Sequence, residues 1–192
     1  MNAFFDETDG SHVLSGVKNL PNAQVVHPGE RWTDRKASGA ITPGEPVVPL
    51  ASGTSPTGTL VMRPVKNGDL TQQLALATRV IDIPDPNTGP TSLGPNEVRN
   101  QDIPHMEWLM AHYSGVFVLT LVTPDTYAPG ELIGWDLNGA RPAGKATTHE
   151  GAWSKNANAD IKAVFEVQDW EEINSSTHEG ILTVKFVGRS QF

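Results

Sequence analysis

Cysteine is absent from this 192-residue chain, which excludes disulfides, thiolate metal sites and a cysteine nucleophile. Small secreted domains lean on such staples, so a chain without them is expected to be made in a cytoplasm. Met1-Asn2-Ala3-Phe4-Phe5-Asp6-Glu7 has neither a basic segment nor a long apolar one, and no signal peptide is expected there. No apolar run approaches the length of a membrane span. Positive charge is scarce as well: 14 Lys and Arg face 22 Asp and Glu, a net charge of −8. That balance argues against nucleic acid, a membrane surface or another polyanion as the main partner. The excess is uneven, with 7 basic against 13 acidic side chains in residues 97–192 and 7 against 9 before them. It reads as a solvated outer face.

Motifs of nucleotide and acyl chemistry are missing too. There is no Gly-x-Ser-x-Gly elbow, no Gly-x-x-x-x-Gly-Lys phosphate loop and no Gly-x-Gly-x-x-Gly. His105 and His112 would lie two turns apart on a helix, too far to share one ion. The twin Thr-His-Glu-Gly stretches at 148–151 and 177–180 lack the second histidine of a His-Glu-x-x-His site and read as turns with exposed histidines. The sequence therefore assigns no catalytic residue, no metal ligand and no cofactor. Five tryptophans are spread along the chain (Trp32, Trp108, Trp135, Trp153 and Trp170), a pattern commoner in cores and interfaces than in a sugar platform.

What is present is a recurrence. Pro43, Gly44, Glu45, Gly53, Pro56 and Gly58 return as Pro129, Gly130, Glu131, Gly139, Pro142 and Gly144. Self-similarity at a fixed offset reports architecture, and 43–58 and 129–144 read as two copies of one strand-and-turn device. The rest of the chain is rich in short apolar runs broken by Gly and Pro. Strands are expected over 47–50, with Pro46 and Pro49 marking an edge or an end, and over 59–65, 70–83, 116–122, 131–137, 161–167 and 181–187. Residues 51–58 and 84–101 read as loops. Asp102 to Tyr113 reads as a helix, with Asp102 as cap, Pro104 in the first turn, and Met106, Leu109, Met110 and Tyr113 on one face. The expected fold is mainly β, a barrel-like antiparallel body over 37–192 with one short α-helix.

Residues 1–36 are too irregular for a packed unit and too apolar for a solvated tail. They read as an extended N-terminal arm, ordered either against its own body or against a neighbour. Its apolar members are the expected partner-binding residues: Phe4, Phe5, Val13, Leu14, Val25, Val26 and Trp32.

Ala40-Ile41-Thr42-Pro43-Gly44-Glu45-Pro46-Val47-Val48, Tyr127-Ala128-Pro129-Gly130-Glu131-Leu132-Ile133 and the closing Gly180-Ile181-Leu182-Thr183-Val184-Lys185-Phe186 resemble stretches of the capsid decoration (cement) proteins of tailed bacteriophages. The resemblance covers about residues 37–187 in layout, through short motifs. It implies a β-tulip body and a non-enzymatic, virion-exterior role on the phage head. The implied partner is the major capsid protein, with self-association as a dimer or trimer on the shell, after synthesis in the bacterial host cytoplasm. A carbohydrate-binding β-sandwich module of a head fibre or adhesin, resting on the tryptophans and the 84–101 loop, is the alternative from another class. A small metal-dependent β-barrel enzyme using His105 or His149 is a third.

Overall fold

The computed structural model describes residues 17–18, 20–55, 58–65, 69, 73–79, 100–145, 149–155 and 164–188. Eleven strands occur among them: β1 (Ala23–Pro28), β2 (Arg31–Ala37), β3 (Pro46–Ser55), β4 (Gly58–Met62), β5 (Ala75–Arg79), β6 (Trp108–His112), β7 (Gly115–Leu119), β8 (Leu132–Asp136), β9 (Ala152–Ser154), β10 (Phe165–Asn174) and β11 (Glu179–Phe186). They form two bodies. Strands β2-β4-β3-β5-β6 close into a small barrel, and β1-β7-β11-β10-β8-β9 form a six-stranded sheet. Every pairing is antiparallel except β2 with β4. The mainly β fold expected from the sequence is what the chain adopts.

Strand alternation decides where the cores lie. Ala37, Val47, Val61, Ala75, Ala77, Leu109 and Ala111 fill the barrel, and three of the strands supply alanines because so narrow a barrel has little interior volume. The alternate residues Val48, Leu74 and Leu76 face outward, onto Phe117, Leu119, Ile133, Trp135, Phe165, Leu182 and Val184 of the sheet. The main core is thus the seam between barrel and sheet. Aromatic edges run through it: Trp135 meets Trp153 at 5.1 Å between ring centroids, Trp153 meets Phe165 at 4.8 Å, and Phe165 meets Phe117 at 6.0 Å. Such edge-to-face contacts add to the area term at this spacing. A third, smaller cluster sits on the other face of the sheet, where Val17 and Leu20 cover Val118 and Ile181.

Three expectations are corrected. The helix over 102–113 is not formed; Trp108–His112 is a strand that pairs with β2 on one side and β5 on the other. Leu109 and Ala111 point into the barrel while Met106 and Trp108 remain exposed, so a period of two wins because it closes the barrel. The prolines of β3 do not make it an edge, although Pro46 does stand at its end, as the first residue of the strand. Pro46 and Val47 pair with β5, whereas Val48, Pro49, Thr54 and Ser55 pair with β4, the register shifting after Pro49. The expected loop over 51–58 is largely strand, since β3 runs to Ser55 and β4 starts at Gly58. Residues 84–99 lie outside the described residues.

Of the stretch 1–36 expected to form an arm, residues 1–16 and 19 lie outside the described residues. Its residues 23–28 form an end strand of the sheet, paired with β7, and 31–36 belong to the barrel. Thr120 receives the preceding segment, its amide donating to the Asn22 carbonyl (3.0 Å) and its hydroxyl to the Pro21 carbonyl (2.7 Å).

Candidate functional site

Two polar features lie where the bodies meet. The first is built from the recurrent Pro-Gly-Glu turn. Pro43 fixes φ, Gly44 takes φ +90°, and the Glu45 amide donates to the Thr42 carbonyl at 3.1 Å, which is a type II turn in outline. The Glu45 carboxylate folds back to accept from the Thr42 amide at 3.1 Å. This local geometry buries the carboxylate at the rim of the barrel, with 1 % of the side chain exposed.

Basic side chains converge on it from both bodies. Arg141, in the chain leaving β8, places Nη2 2.5 Å from Glu45 Oε1, while its Nε donates to the Gly151 carbonyl at 2.8 Å. Arg63, at the end of β4, holds Nε 3.8 Å from Oε2 and donates through Nη2 to the Glu150 carbonyl at 3.0 Å. His149 brings Nδ1 to 3.6 Å from Oε1 and 3.3 Å from Thr42 Oγ1. Thr42 donates in turn to Asp102 Oδ1 at 2.8 Å. Both carboxylate oxygens of Glu45 are engaged. A buried pair of this kind contributes orientation more than net stability, because desolvation offsets much of the Coulomb gain. Here it ties Arg141 and the Glu150 and Gly151 carbonyls to the rim of the barrel.

The second feature is a cleft of about 600 Å³ between β1 and the outer face of β5–β6. His112 stands at its floor, fully buried, with Nε2 2.9 Å from Thr78 Oγ1 and its ring edge-on to Phe117 at 5.4 Å. Burial, followed by the nearby Arg31 charge, lowers its pKa to about 4. Among the described residues its Nδ1 has no hydrogen-bond partner.

Beside the cleft, Lys145 is buried among carbonyls. Its Nζ donates to the Leu20 carbonyl and, at 2.9 Å, to Asn22 Oδ1. Burial lowers its pKa to about 7. Asn100 clamps the same segment, its amide nitrogen donating to the Leu20 carbonyl (2.8 Å) and its oxygen accepting from the Asn22 amide (2.7 Å).

The partner-binding residues expected from the sequence are not gathered on one surface. Phe4, Phe5, Val13 and Leu14 lie outside the described residues. Val25 turns inward against the main core, and Val26 points out at 44 % exposure. Trp32 packs on the barrel core, tilted against Tyr113 at 5.1 Å between ring centroids with the Arg35 guanidinium 4.7 Å above its ring. Of the twin histidines, His149 is the exception to the exposed-loop reading, at 12 % side-chain exposure. His178 lies at a β10–β11 turn with φ +53° and pairs with Glu172 at 2.7 Å. Among the described residues, no group of three or more His, Asp or Glu side chains could hold a metal ion.

Glu45, Arg141, Lys145 and the cleft face of His112 are the residues that sequence reasoning missed. The one available signal was the repeated glutamate of the Pro-Gly-Glu turns. No family model, curated protein or solved structure matches the chain.

Proposed function

We propose that the protein is a capsid decoration protein, which binds the outer surface of a tailed-phage head and stabilises contacts between major capsid proteins without catalysing a reaction. The distribution of exposed apolar side chains carries this reading. Val26 lies on the end strand of the sheet, Met106 and Trp108 on the segment entering β6 of the barrel, Leu132 on β8 and Val187 just past the end of β11. A protein that joins neighbouring subunits needs anchors on separated parts of one stiff body, and exposed Trp and Met are effective anchors when a partner desolvates them. The double-bodied β fold with a seam of interlocked aromatics supplies the stiffness. On the shell the chain would act as a dimer or trimer, with its acidic surface facing solution.

A sugar platform on Trp135 and Trp153 has no support, because both rings are buried at 1 % and 0 % exposure. Among the described residues the metal-dependent reading has no site on which to build. Rebinding of the purified protein to phage heads stripped of their decoration tests the proposal. Saturable occupancy at fixed stoichiometry to the major capsid protein, with raised resistance of the heads to heat, is expected. Trp108→Ala and Val26→Asp should each lower occupancy at least fivefold. Heads that take up no protein would overturn the assignment.

A further inference from the structure

The cleft between β1 and the barrel has the chemistry of a binding slot, and three observations converge there. First, residues 21–25 all border it in sequence, which happens when the edge of a strand, rather than one face, forms the wall. The Asn22 carbonyl accepts from Thr120, and antiparallel alternation then turns the backbone N–H and C=O groups of Ala23 and Val25 away from β7. Among the described residues no strand pairs with that edge of β1. Second, the lining is cationic in an acidic protein: Arg31 and Arg79 border the cleft, and no Asp or Glu does among the described residues. Third, the site is built. Arg79 is held by its Nη2 donating to the carbonyls of Gln101 and Asp102 (2.9 Å each), while its Nε is buried without a partner among the described residues. His112 Nδ1 is likewise buried and unpartnered among them, on the same wall.

We infer that the cleft binds an extended, acidic peptide segment of a partner protein, added as a strand to the edge of β1 turned away from β7, with a carboxylate on Arg31 and Arg79. Strand addition draws affinity from main-chain hydrogen bonds and specificity from alternate side chains. Here the alternate side chain facing the barrel would meet guanidinium groups, which favour carboxylates through bidentate, charge-assisted hydrogen bonds. The same barrel wall offers Met110, paired with Thr78, as an adaptable apolar surface for a neighbouring side chain. The inference stands on the cleft and holds whether or not the partner belongs to a phage head.

The test is panning a display library of random linear peptides against the full-length protein, in parallel with Arg31→Gln and Arg79→Gln. The expected outcome is enrichment of sequences with Asp or Glu set between β-branched or aromatic residues. A synthesised winner should slow amide exchange at Ala23 and Val25, and its Kd should rise at least tenfold on either variant or on Glu→Gln replacement in the peptide. No enrichment over blank beads would overturn the inference, as would full affinity for both variants, or protection mapping away from β1. Displacement of the peptide by millimolar acetate alone, with acetate reproducing its spectral shifts, would reduce the cleft to a small-anion site and overturn the strand. Arg79 supports the chain at Gln101, so a loss of folding in that variant is checked by thermal melting. The exposed Arg31 variant then decides.

Discussion

Gly44 and Gly130 hold the same conformation at the same point of two related turns. Their φ values are +90° and +88°, and each donates its amide across to the neighbouring strand at 2.8 Å, Gly44 to Ala77 and Gly130 to Val167. The following glutamates complete the match. Glu45 and Glu131 each donate an amide to the residue three before (3.1 Å in both) and fold a carboxylate back onto that residue's own amide (3.1 and 2.8 Å). The recurrence is therefore one turn-and-strand-entry device used twice, once to start β3 and once to start β8. It stops there: Gly53 lies within β3, whereas Gly139 lies beyond the end of β8.

The two glycines differ in surroundings, which predicts different costs for the same substitution. A Cβ at Gly130 would meet nothing within 4 Å, so Gly130→Ala should lose about 1 kcal/mol from the left-handed backbone alone. A Cβ at Gly44 would come 3.0 Å from Asn22 Cβ and 3.2 Å from its backbone. Gly44→Ala should therefore cost roughly 1–3 kcal/mol more, through overpacking. Urea unfolding of both variants checks this, and equal losses would contradict the equivalence of backbone and difference of packing described above.

The two glutamates diverge in the same way. Glu45 is buried under Arg141, while the Glu131 carboxylate makes its hydrogen bond at the surface. Removing one partner of a buried ion pair strands the other charge, so Glu45→Ala should destabilise by about 3–5 kcal/mol. Glu131→Ala removes a solvated hydrogen bond and should cost about 1 kcal/mol or less. Pairing Glu45→Leu with Arg141→Met should recover much of the loss, because neither charge is then left alone in the interior. Chemical denaturation of the two single variants at Glu45 and Glu131 and of the double variant measures all three.

Much of the β architecture was legible because it is written in local pattern. Leu182 and Val184 alternate with Thr183 and Lys185, and Pro-Gly-Glu stretches precede β2, β3 and β8. The segment Trp108–His112 was not legible, for a definite reason. Met106, Leu109, Met110 and Tyr113 match a helical face, while Leu109 and Ala111 match a strand face, and local pattern alone does not separate the two. The decision comes from β2 and β5, whose residues 31–36 and 76–79 pair with both edges of this segment to close the barrel. The charged cluster was hidden for the same reason. Glu45 meets Arg141 only after barrel and sheet have joined, and neither residue belongs to a motif that announces the other. Residues 23–36 looked like an arm because Pro28-Gly29 divides them, yet that break is the short connection by which the chain leaves the sheet for the barrel.

Lys145 gives a pH prediction on the alkaline side. Burial lowers its pKa from 10.5 to about 7, so between these values the unfolded chain binds a proton that the folded chain does not. Stability should rise with pH across that window, by up to about 1.4 kcal/mol per unit. Below pH 7 both states are protonated and the contribution is flat, with the cost of the buried ammonium fully present. Lys145→Met should flatten the alkaline rise relative to the parent protein. It also leaves the Leu20 carbonyl without this donor, so the variant should fall furthest behind at pH 9–10. Urea midpoints from pH 6 to 10 for the two proteins give the comparison.

His112 gives the complementary prediction on the acid side, and it reaches the cleft directly. Its folded pKa is about 4, against an ordinary 6.5, with burial as the larger cause and the Arg31 charge as the smaller. The neutral ring is the form that the fold accepts. Its contribution is fully present above pH 6.5 and is lost as pH falls toward 4, because the unfolded chain takes up the proton first. Below about pH 4 both states are protonated and the loss stops growing. Arg31→Gln removes the smaller cause, so the folded pKa should move partway back toward 6.5 and the acid loss should end at a higher pH. His112→Gln keeps a polar atom within reach of Thr78 but cannot titrate. It should be less stable than the parent at pH 7, where the contact with Phe117 is gone, and should lose less on going to pH 4.5. Histidine titration by NMR reads the first effect and denaturant midpoints read the second. A folded His112 that titrates near 6.5, with Nδ1 open to water, would show that the barrel wall of the cleft is not sealed as described.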